Sequence, residues 1–229
     1  MENKKQKLNI FTPVYYDVPS FVELRKNIDQ IFQDSVYDIH YYVIDDTAGS
    51  DNQINEIKNE KSIHLITPPF NLGHQRAIVY GLREKVHYLS SEEIIVTLDS
   101  DGEDAPEDLP RLLSLRQKTE GFVLARRTKR QESLLFKFLY FNFKLLFVSL
   151  TGTIIKSGNY MTYKVKNIHN IIHHPYFNLC YSSVFLALRI QLNYVPCERG
   201  SRYKGESKMN TVNLISHGIR MLMPFIEKI

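Results

Sequence analysis

Short apolar runs alternate with segments of helical periodicity along the first half of the chain. The apolar runs predict four β-strands, over residues 8–14, 39–44, 63–66 and 94–98. Between the first two runs, one helical face is formed by Phe21, Leu24, Ile28 and Ile31, and a second helical pattern follows a turn near Gly73. This alternation predicts an α/β fold with right-handed crossovers and a mostly parallel central sheet flanked by helices.

Polar loops follow three of these predicted strands. They cover residues 12–17, 45–51 and 99–104. Parallel sheets bind their ligands in the crevice beyond the carboxyl ends of the strands. The function is therefore expected in these three loops.

The pattern changes after a fifth predicted strand at residues 121–127. Residues 133–150 form an amphipathic segment with a wide apolar face, which includes Lys137 and Lys144. Two charges, and a length short of about 20 clean apolar residues, argue against a membrane-spanning helix. The segment is either a core helix, which periodicity alone favours, or a helix that lies in a bilayer interface.

Composition is that of a globular protein. The chain has 229 residues, of which 43% are hydrophobic and 24% charged, and this excludes a disordered or integral membrane protein. A net charge of +4 is too small for a dedicated nucleic-acid binder but suits an anionic ligand or a lipid surface. Cys180 and Cys197 lack a metal-ligand spacing, and no apolar signal segment follows Met1, which predicts free thiols in the reducing cytoplasm.

Four acids, Asp99, Asp101, Glu103 and Asp104, lie within six residues at the end of the fourth strand. Alternate residues of an extended segment point the same way, so the first three of them can converge on Mg²⁺ or Mn²⁺. The alternative is a solvated acidic turn before a helix. The preceding apolar strand favours the metal site, because carboxylates beside its buried end would be costly without a cation.

Two other segments have candidate ligand-binding residues. Asp45 and Asp46 end the second strand, where they form either an Asx-type turn or a site for a base or ribose, and both interpretations stay open. Gly73 and Arg76 lie where a turn leads into a helix. Helix-start amides and a guanidinium make this a candidate diphosphate site.

Basic residues form two clusters in the second half of the chain. The clusters are Arg126, Arg127, Lys129 and Arg130, and Arg199, Arg202, Lys204 and Lys208. Either cluster alone is usually a solvated surface. Together with the candidate metal site formed by acidic residues, the two clusters indicate a pair of substrates that both carry phosphate groups. The clusters would repel each other unless an anion lay between them, so Arg202 is expected in the same cleft as Asp101. His169, His173 and His174 lack a fourth zinc ligand at a suitable spacing.

The order of these motifs resembles that of the family 2 glycosyltransferases of GT-A fold, in the branch of dolichyl- and polyprenyl-phosphate sugar synthases. Six elements carry the resemblance, which covers residues 8–210. They are P-x-Y-N-E at 12–17, D-D-x-S-x-D at 45–51, the N-x-G helix start at 71–81, the D-x-D metal motif at 99–101, S-R at 125–126 and R-x-x-G-x-S-K at 202–208. Glu103 stands where relatives often have Gln.

The resemblance implies one GT-A, Rossmann-like domain over residues 1–210, and a C-terminal amphipathic helix over 211–229 that packs on it or lies at the membrane surface. The catalytic residues would be Asp99, Asp101, Arg126, Arg202 and Lys208. The donor-binding residues would be Pro13, Tyr15, Asp17, Asp45, Asp46, Gly73, Arg76, Ser100 and Ser207, and the metal ligands Asp99, Asp101 and Glu103. The resemblance also places residues 133–150 on the acceptor side, which favours the interfacial interpretation of that segment.

Two departures from the family pattern bear on the acceptor. Asn159 and Tyr160 stand where many relatives have Phe-Arg, which puts an arginine contact there in doubt. Residues 176–188 contain no acidic pair, where relatives that act on hydroxyl groups often place a general base. A lipid phosphate is already an anion at neutral pH and needs no base, so this absence favours a phosphate acceptor.

Residues and resemblance together predict a metal-dependent inverting glycosyltransferase, expected to be a hexosyltransferase. It would move a sugar from a nucleoside diphosphate sugar to a polyprenyl or dolichyl phosphate, as a peripheral protein at the inner face of the cytoplasmic membrane. No nucleic-acid partner is expected, and a homo-oligomer is compatible with the sequence. Two alternatives stay open: transfer to a sugar hydroxyl in polysaccharide or glycolipid synthesis, and a nucleotide-sugar-binding module without turnover.

Overall fold

The computed structural model of the chain describes residues 5–127, 134–154, 158–204 and 211–228. The strands are β1 Gln6–Val14, β2 Tyr37–Asp45, β3 Ile63–Ile66, β4 Ile94–Thr97, β5 Phe122–Arg127, β6 Met161–Lys164 and β7 Leu192–Cys197. The α-helices are α1 Val18–Ile31, α2 His74–Lys85, α3 Leu109–Lys118, α4 Leu134–Thr151, α5 Val165–Ile168, α6 Tyr181–Ala187 and α7 Thr211–Leu222. None of the helices in these ranges is both long and apolar enough to cross a bilayer.

The strands form one sheet in the order β3-β2-β1-β4-β6-β5-β7. β1 pairs in parallel with β2 and β4, and β5 pairs in parallel with β7. Only β6 is antiparallel to its neighbours, β4 and β5. The predicted α/β fold with a mostly parallel sheet is therefore confirmed, and the carboxyl ends of β1, β2, β4 and β5 lie at one edge.

The predicted strands of the first half are confirmed, although β1 and β2 each begin two residues before their apolar runs. The sequence analysis missed β6, which has only four residues and includes the polar Thr162 and Lys164. Thr162 is nevertheless fully buried, because β6 lies between two apolar strands. Burial of β6 follows from its place in the sheet rather than from its own hydrophobicity.

Both faces of the sheet are covered, as in other parallel sheets. Ile10 of β1 belongs to the hydrophobic cluster formed with α1 and α3, and the next residue, Phe11, belongs to the cluster formed with α2 and α6. This alternation explains why the strands appear in the sequence as continuous apolar runs. Packing on both faces fixes where each strand ends, and thus where its following loop begins.

Helix α4 packs on one side over residues 141–151, where the structure describes its side chains. Phe147 is fully buried in a third cluster with Met221 and Phe225 from the C-terminal residues of the chain. The other side of α4 exposes large apolar side chains, namely Phe141, Leu145, Leu146, Val148 and Leu150. We call this set the exposed apolar face of α4. The helix thus has features of both predicted alternatives, a core helix and an interfacial helix.

Helix α2 approaches β2 closely at a glycine. A Cβ atom at Gly81 would lie 2.7 Å from Cγ1 and 3.0 Å from Cδ1 of Ile44. Both residues are buried, so the neighbouring side chains have little room to move. Gly81 therefore sets the distance between α2 and the sheet, and with it the position of the turn that precedes α2.

We predict that Gly81→Val destabilises the protein by about 1–3 kcal/mol, because the added methyl groups overpack the contact with Ile44. Thermal unfolding followed by circular dichroism should show a melting temperature lower by roughly 2–4 °C per kcal/mol. Gly158→Val is the matched control, since no atom lies within 4 Å of the Cβ position there. Equal melting temperatures for Gly81→Val and the wild type would contradict the prediction.

Candidate active site

The carboxyl ends of β1 and β4 are tied together by a side chain. Ser100 Oγ donates a hydrogen bond to the Pro13 carbonyl oxygen at 2.9 Å, and both residues are buried. The loop after β4 is thereby held beside the loop after β1. In the structure the predicted donor-binding residues Pro13 and Ser100 thus connect two strands.

The loop after β1 presents aromatic and acidic side chains. Tyr15 and Tyr16 are about half exposed, with their rings 4.9 Å apart in an edge-to-face arrangement. Asp17 occupies the position before α1, but its carboxylate caps no amide of that helix. Tyr15 and Asp17 therefore lie at the carboxyl edge of the sheet, where an aromatic ring and a carboxylate suit a nucleoside.

The side chain of Asp45 forms its hydrogen bonds within the turn after β2. Its Oδ1 accepts hydrogen bonds from the amide and hydroxyl of Thr47, and its Oδ2 accepts one from the Gly49 amide at 3.1 Å. These contacts agree with the Asx-type turn that the sequence left open. The carboxylate of Asp45 is buried, and both of its oxygens accept hydrogen bonds from the turn itself. Asp45 therefore stabilises the turn.

Asp46 holds the turn that leads into α2. It accepts hydrogen bonds from the amides of Leu72 at 2.7 Å and Gly73 at 2.9 Å, and from Asn71 Nδ2 at 3.3 Å. Burial raises the pKa of Asp46, and the two backbone hydrogen bonds counteract part of that increase. A buried carboxylate with amide donors from another loop is a strong local constraint. Asp46 thus positions the N-x-G element that the sequence analysis assigned to the donor diphosphate.

Two buried polar atoms near these loops have no hydrogen-bond partner among the described residues. They are Asp51 Oδ2 and Arg76 Nε. Asp51 Oδ1 accepts a bond from the Gln53 amide, so only one of its oxygens is used. Buried polar atoms are almost always paired, and such orphans in a cleft are candidate ligand contacts. Arg76 was predicted, whereas Asp51 was not singled out because it resembles a helix-capping residue.

Asp99 begins the acidic loop after β4. Its nearest side-chain partner is Asn159, whose Nδ2 donates to Asp99 Oδ1 at 3.4 Å. Burial and the nearby charge of Asp101 raise the pKa of Asp99. Asn159 also accepts a bond from Gln75 Nε2 at 3.0 Å, which links the acidic loop to the first turn of α2. The departure from Phe-Arg thus puts the Asn159 amide against Asp99, while Tyr160, at the arginine position, donates its hydroxyl to the Ala105 carbonyl oxygen.

Asp104 pairs with an arginine from β5. Arg127 Nη2 donates to Asp104 Oδ1 at 3.1 Å, and the Asp99 amide donates to Asp104 Oδ2 at 3.1 Å. Arg126 was predicted to screen phosphates, but it lies on the opposite face of the sheet, where its charge acts on Tyr194. Successive residues of a strand point to opposite faces, so only Arg127 of this pair reaches the acidic loop. The family motif at residues 125–126 pointed to Arg126. The alternation of side chains along a strand would have indicated that Arg127 is the one that faces the acidic loop.

Glu103 is paired with two arginines. Its Oε1 accepts a bond from Arg202 Nε at 2.7 Å, and its Oε2 lies 2.5 Å from Arg199 Nη2. Arg202 Nη2 also lies 3.0 Å from Asp101 Oδ2. Burial raises the pKa of Glu103, but the hydrogen bonds from Arg199 and Arg202 outweigh it, so the pKa lies below its usual value. The structure thus places Arg202 in the same cleft as Asp101, across 101 positions of the chain.

A divalent ion fits part of the predicted ligand set. Asp99 and Asp101 supply hard oxygen donors whose charges repel each other, and no described arginine pairs with Asp99. Glu103 differs, because both of its oxygens face guanidinium groups. Accordingly, the described residues contain no group of three His, Cys, Asp or Glu side chains arranged to hold a metal ion. In this arrangement Asp99 and Asp101 are the pair that fits an ion, and the site of three carboxylates stays a prediction.

Other predicted residues lie elsewhere or outside the described ranges. Ser207 and Lys208 fall within residues 205–210, which the structure does not describe. His169 and His173 lie near His87, with ring centroids 5.2 and 5.7 Å from that of His87, but they form no metal-binding group among the described residues. Cys180 and Cys197 are buried and form no disulfide, which agrees with the predicted thiols.

Comparison with known families agrees with this architecture. A family model described as glycosyl transferase family 2 matches residues 10–187. The undecaprenyl-phosphate 4-deoxy-4-formamido-L-arabinose transferase of Yersinia enterocolitica is 29% identical over 136 residues, covering 57% of this chain and 40% of the relative. Its counterpart in Proteus mirabilis is 27% identical over 135 residues, with the same 57% and 40% coverage. The match thus spans less than half of the length of these curated relatives.

Solved structures share the fold. Mannosyl-3-phosphoglycerate synthase from Rubrobacter xylanophilus superposes with a TM-score of 0.66 at 10% identity, over 97% of this chain and 74% of that chain. Glucosyl-3-phosphoglycerate synthase from Mycobacterium tuberculosis, solved with UDP, superposes with a TM-score of 0.60 at 12% identity, over 96% and 80%. At such identities the likeness shows the fold alone. The family model covers most of the chain and the sheet has the matching topology, so the chain belongs to the family 2 glycosyltransferases and has the GT-A fold.

Proposed function

We propose that this chain transfers a sugar, with inversion, from a nucleoside diphosphate sugar to a polyprenyl phosphate. One observation carries the proposal: Asp99 lies at a buried strand end beside Asp101, and no described arginine forms an ion pair with it, although the charge of Arg127 acts on it. A divalent cation would complete the charge balance there. The same cation would neutralise the diphosphate that leaves when the sugar is transferred.

The residues of this chain would act on the donor in three places. Tyr15 and Asp17 would contact the nucleoside at the end of β1. Arg76, whose buried Nε has no described partner, would bind the diphosphate at the start of α2. Arg202 would face the same phosphates from the loop after β7, because it already lies 3.0 Å from Asp101. Together with Asp99 and Asp101, these groups would hold the donor so that its diphosphate meets the metal.

A phosphate acceptor agrees with the acceptor side of the cleft. In residues 176–188, which the structure describes in full, no carboxylate is present to deprotonate a sugar hydroxyl. Asn178 lies there, but its Oδ1 accepts a bond from Arg83 at 2.7 Å. The curated relatives are named for transfer to undecaprenyl phosphate, which supports a lipid phosphate here. Such an acceptor attacks as an anion and needs no general base.

A lipid acceptor also gives the exposed apolar face of α4 a role. A polyprenyl phosphate has its phosphate at the membrane surface, so the enzyme must approach that surface. Exposed leucine and phenylalanine side chains on a helix suit insertion into the interface between headgroups and acyl chains. We therefore propose peripheral contact with the cytoplasmic face of the membrane through α4, with residues 211–229 as a helical unit beside it.

The proposed donor class can be tested by thermal shift. In the presence of Mn²⁺, the nucleoside diphosphate that fits the site should raise the melting temperature. A ligand at 100 times its Kd should add about 2.7 kcal/mol to the free energy of unfolding. The screen would contain UDP, GDP, ADP and CDP, with the matching nucleoside monophosphates as controls. No stabilisation by any diphosphate would contradict a nucleoside diphosphate donor.

Asp101→Asn should abolish sugar transfer to polyprenyl phosphate while leaving the fold intact. An amide keeps the hydrogen bond from the Glu103 amide but removes the charge that would hold the metal. Activity should fall by at least about 100-fold, the loss expected for one strong electrostatic contact in a dry site. Circular dichroism would confirm folding. Near-wild-type transfer by this variant would exclude the metal mechanism.

Binding to anionic vesicles should depend on the exposed apolar face of α4. Leu145→Asp should reduce co-sedimentation several-fold, and Lys137→Glu should cost roughly the 1 kcal/mol given by one basic residue near anionic headgroups. Val36→Asp is the matched control, because Val36 is equally exposed but precedes β2 at the opposite edge of the sheet. Equal pelleting with neutral and anionic vesicles, or an unchanged Leu145→Asp variant, would count against the membrane contact.

A further inference from the structure

We infer that Glu103 is a positioning residue, which holds Arg199 and Arg202 at the acidic loop, and that it is not a third ligand of the divalent ion. The inference rests on the proposed function only for the statement about the metal. The statement about the arginines rests on the contacts of Glu103 alone. It assigns Glu103 a role in orienting the cations that face the donor phosphates.

The first support is that both carboxylate oxygens of Glu103 are already used. Oε1 accepts the bond from Arg202 Nε at 2.7 Å, and Oε2 lies 2.5 Å from Arg199 Nη2 and 3.9 Å from Arg127 Nη1. Only 10% of the Glu103 side chain is exposed. A metal ligand needs an oxygen directed at the ion, whereas these oxygens are directed at guanidinium groups. Glu103 would have to give up a charged partner to reach an ion.

The second support is that the backbone holds the two loops in this arrangement. The Gly200 amide donates to the Glu103 carbonyl at 2.9 Å, and the Tyr203 amide donates to the Asp101 carbonyl at 2.8 Å. Gly102 lies between them with a φ of +90°, and a Cβ there would lie 2.8 Å from the Tyr203 ring and 2.9 Å from the Ser201 carbonyl oxygen. The loop after β7 is thus fixed on the acidic loop. Arg199 and Arg202 therefore reach Glu103 without a rearrangement of the backbone.

The third support is the balance of charge. The four carboxylates are Asp99, Asp101, Glu103 and Asp104, and the three guanidinium groups paired with them are those of Arg127, Arg199 and Arg202. Asp104 pairs with Arg127 and Glu103 with Arg199, while Arg202 is shared between Glu103 and Asp101. No described arginine lies within ion-pair distance of Asp99, although the charge of Arg127 lowers its pKa. A divalent ion would therefore add most to the charge balance at Asp99 and Asp101, whereas both oxygens of Glu103 already face guanidinium groups.

This arrangement has a consequence for the donor. Arg202 bridges Glu103 and Asp101, so its guanidinium lies next to the pair of carboxylates that would hold the ion. A diphosphate bound to that ion would lie within reach of Arg202. Glu103 keeps the long arginine side chains in that place before the donor arrives, which reduces the entropy lost on binding.

Two measurements on the chain of residues 1–229 separate the two parts of the inference. Glu103→Gln keeps the size of the side chain and removes its charge, and Glu107→Gln is the matched control, an exposed glutamate four positions away. The first measurement is Mn²⁺ affinity without nucleotide, followed by the electron paramagnetic resonance signal of free Mn²⁺. We expect Asp101→Asn, which removes a ligand, to lose at least about tenfold more Mn²⁺ affinity than Glu103→Gln, which alters only a group outside the ligand set.

The second measurement is limited trypsin digestion, because Arg199 and Arg202 are themselves cleavage sites. Glu103→Gln removes the charged partner of both, so cleavage after these residues should become several-fold faster, as proteolysis follows the population of the opened loop. Mass spectrometry would map the cleavage sites, and Glu107→Gln should cleave like the wild type. If Glu103→Gln folds poorly, Glu103→Asp offers a second variant: it keeps the charge but withdraws the carboxylate from both guanidinium groups, so cleavage after Arg199 and Arg202 should still accelerate.

The outcomes are distinct. If Glu103→Gln loses Mn²⁺ affinity as Asp101→Asn does, Glu103 is a metal ligand and the inference is overturned. Unchanged cleavage after Arg199 and Arg202 would show that Glu103 does not hold the arginines, and would overturn it equally. If the wild type itself binds no Mn²⁺, the metal-dependent part of the proposed function fails, and the digestion alone decides whether Glu103 holds the arginines.

Discussion

Balancing buried negative charge at the carboxyl end of β4 is the constraint on which the rest of the site depends. Four acids follow a strand that is completely buried, and carboxylates in such a place need cations or amide donors. The chain supplies arginines from the end of β5 and from the loop after β7, both of which reach this edge because the strands are parallel to β4. Sheet order and charge pairing are therefore parts of one arrangement.

The sequence predicted well those strands whose own residues are hydrophobic enough to indicate that they are buried. β1 to β4 are mostly buried and each contains a run of mainly apolar residues, so these runs are visible without any knowledge of neighbours. β6 is different, because Thr162 is buried only through its place between β4 and β5. Its pairing is non-local, and local pattern analysis contains no information on it.

The site shows the same division. The sequence shows the acidic loop and the basic cluster around Arg202 as groups of like charges. It does not show which carboxylate pairs with which arginine. Whether Arg126 or Arg127 faces Asp104 depends on which face of β5 each residue occupies, and this is fixed by the register of the whole sheet. Asp46 was assigned to a nucleoside, while its hydrogen bonds go to Leu72 and Gly73, in a loop 26 residues further along the chain. Sequence alone indicates which residues are chemically costly to bury, and the fold decides what compensates them.

The antiparallel strand β6 has a consequence for how this domain can change in evolution. β5 ends, and β6 begins, at the same edge of the sheet, so all of the chain between them leaves and re-enters beside the acidic loop. That excursion includes α4 and interrupts no strand pairing. It can be lengthened, shortened or exchanged for another segment while every strand register stays the same. Under the proposed function, a new acceptor could therefore be acquired by replacement of this one segment, while the strands that carry the proposed donor site keep their register.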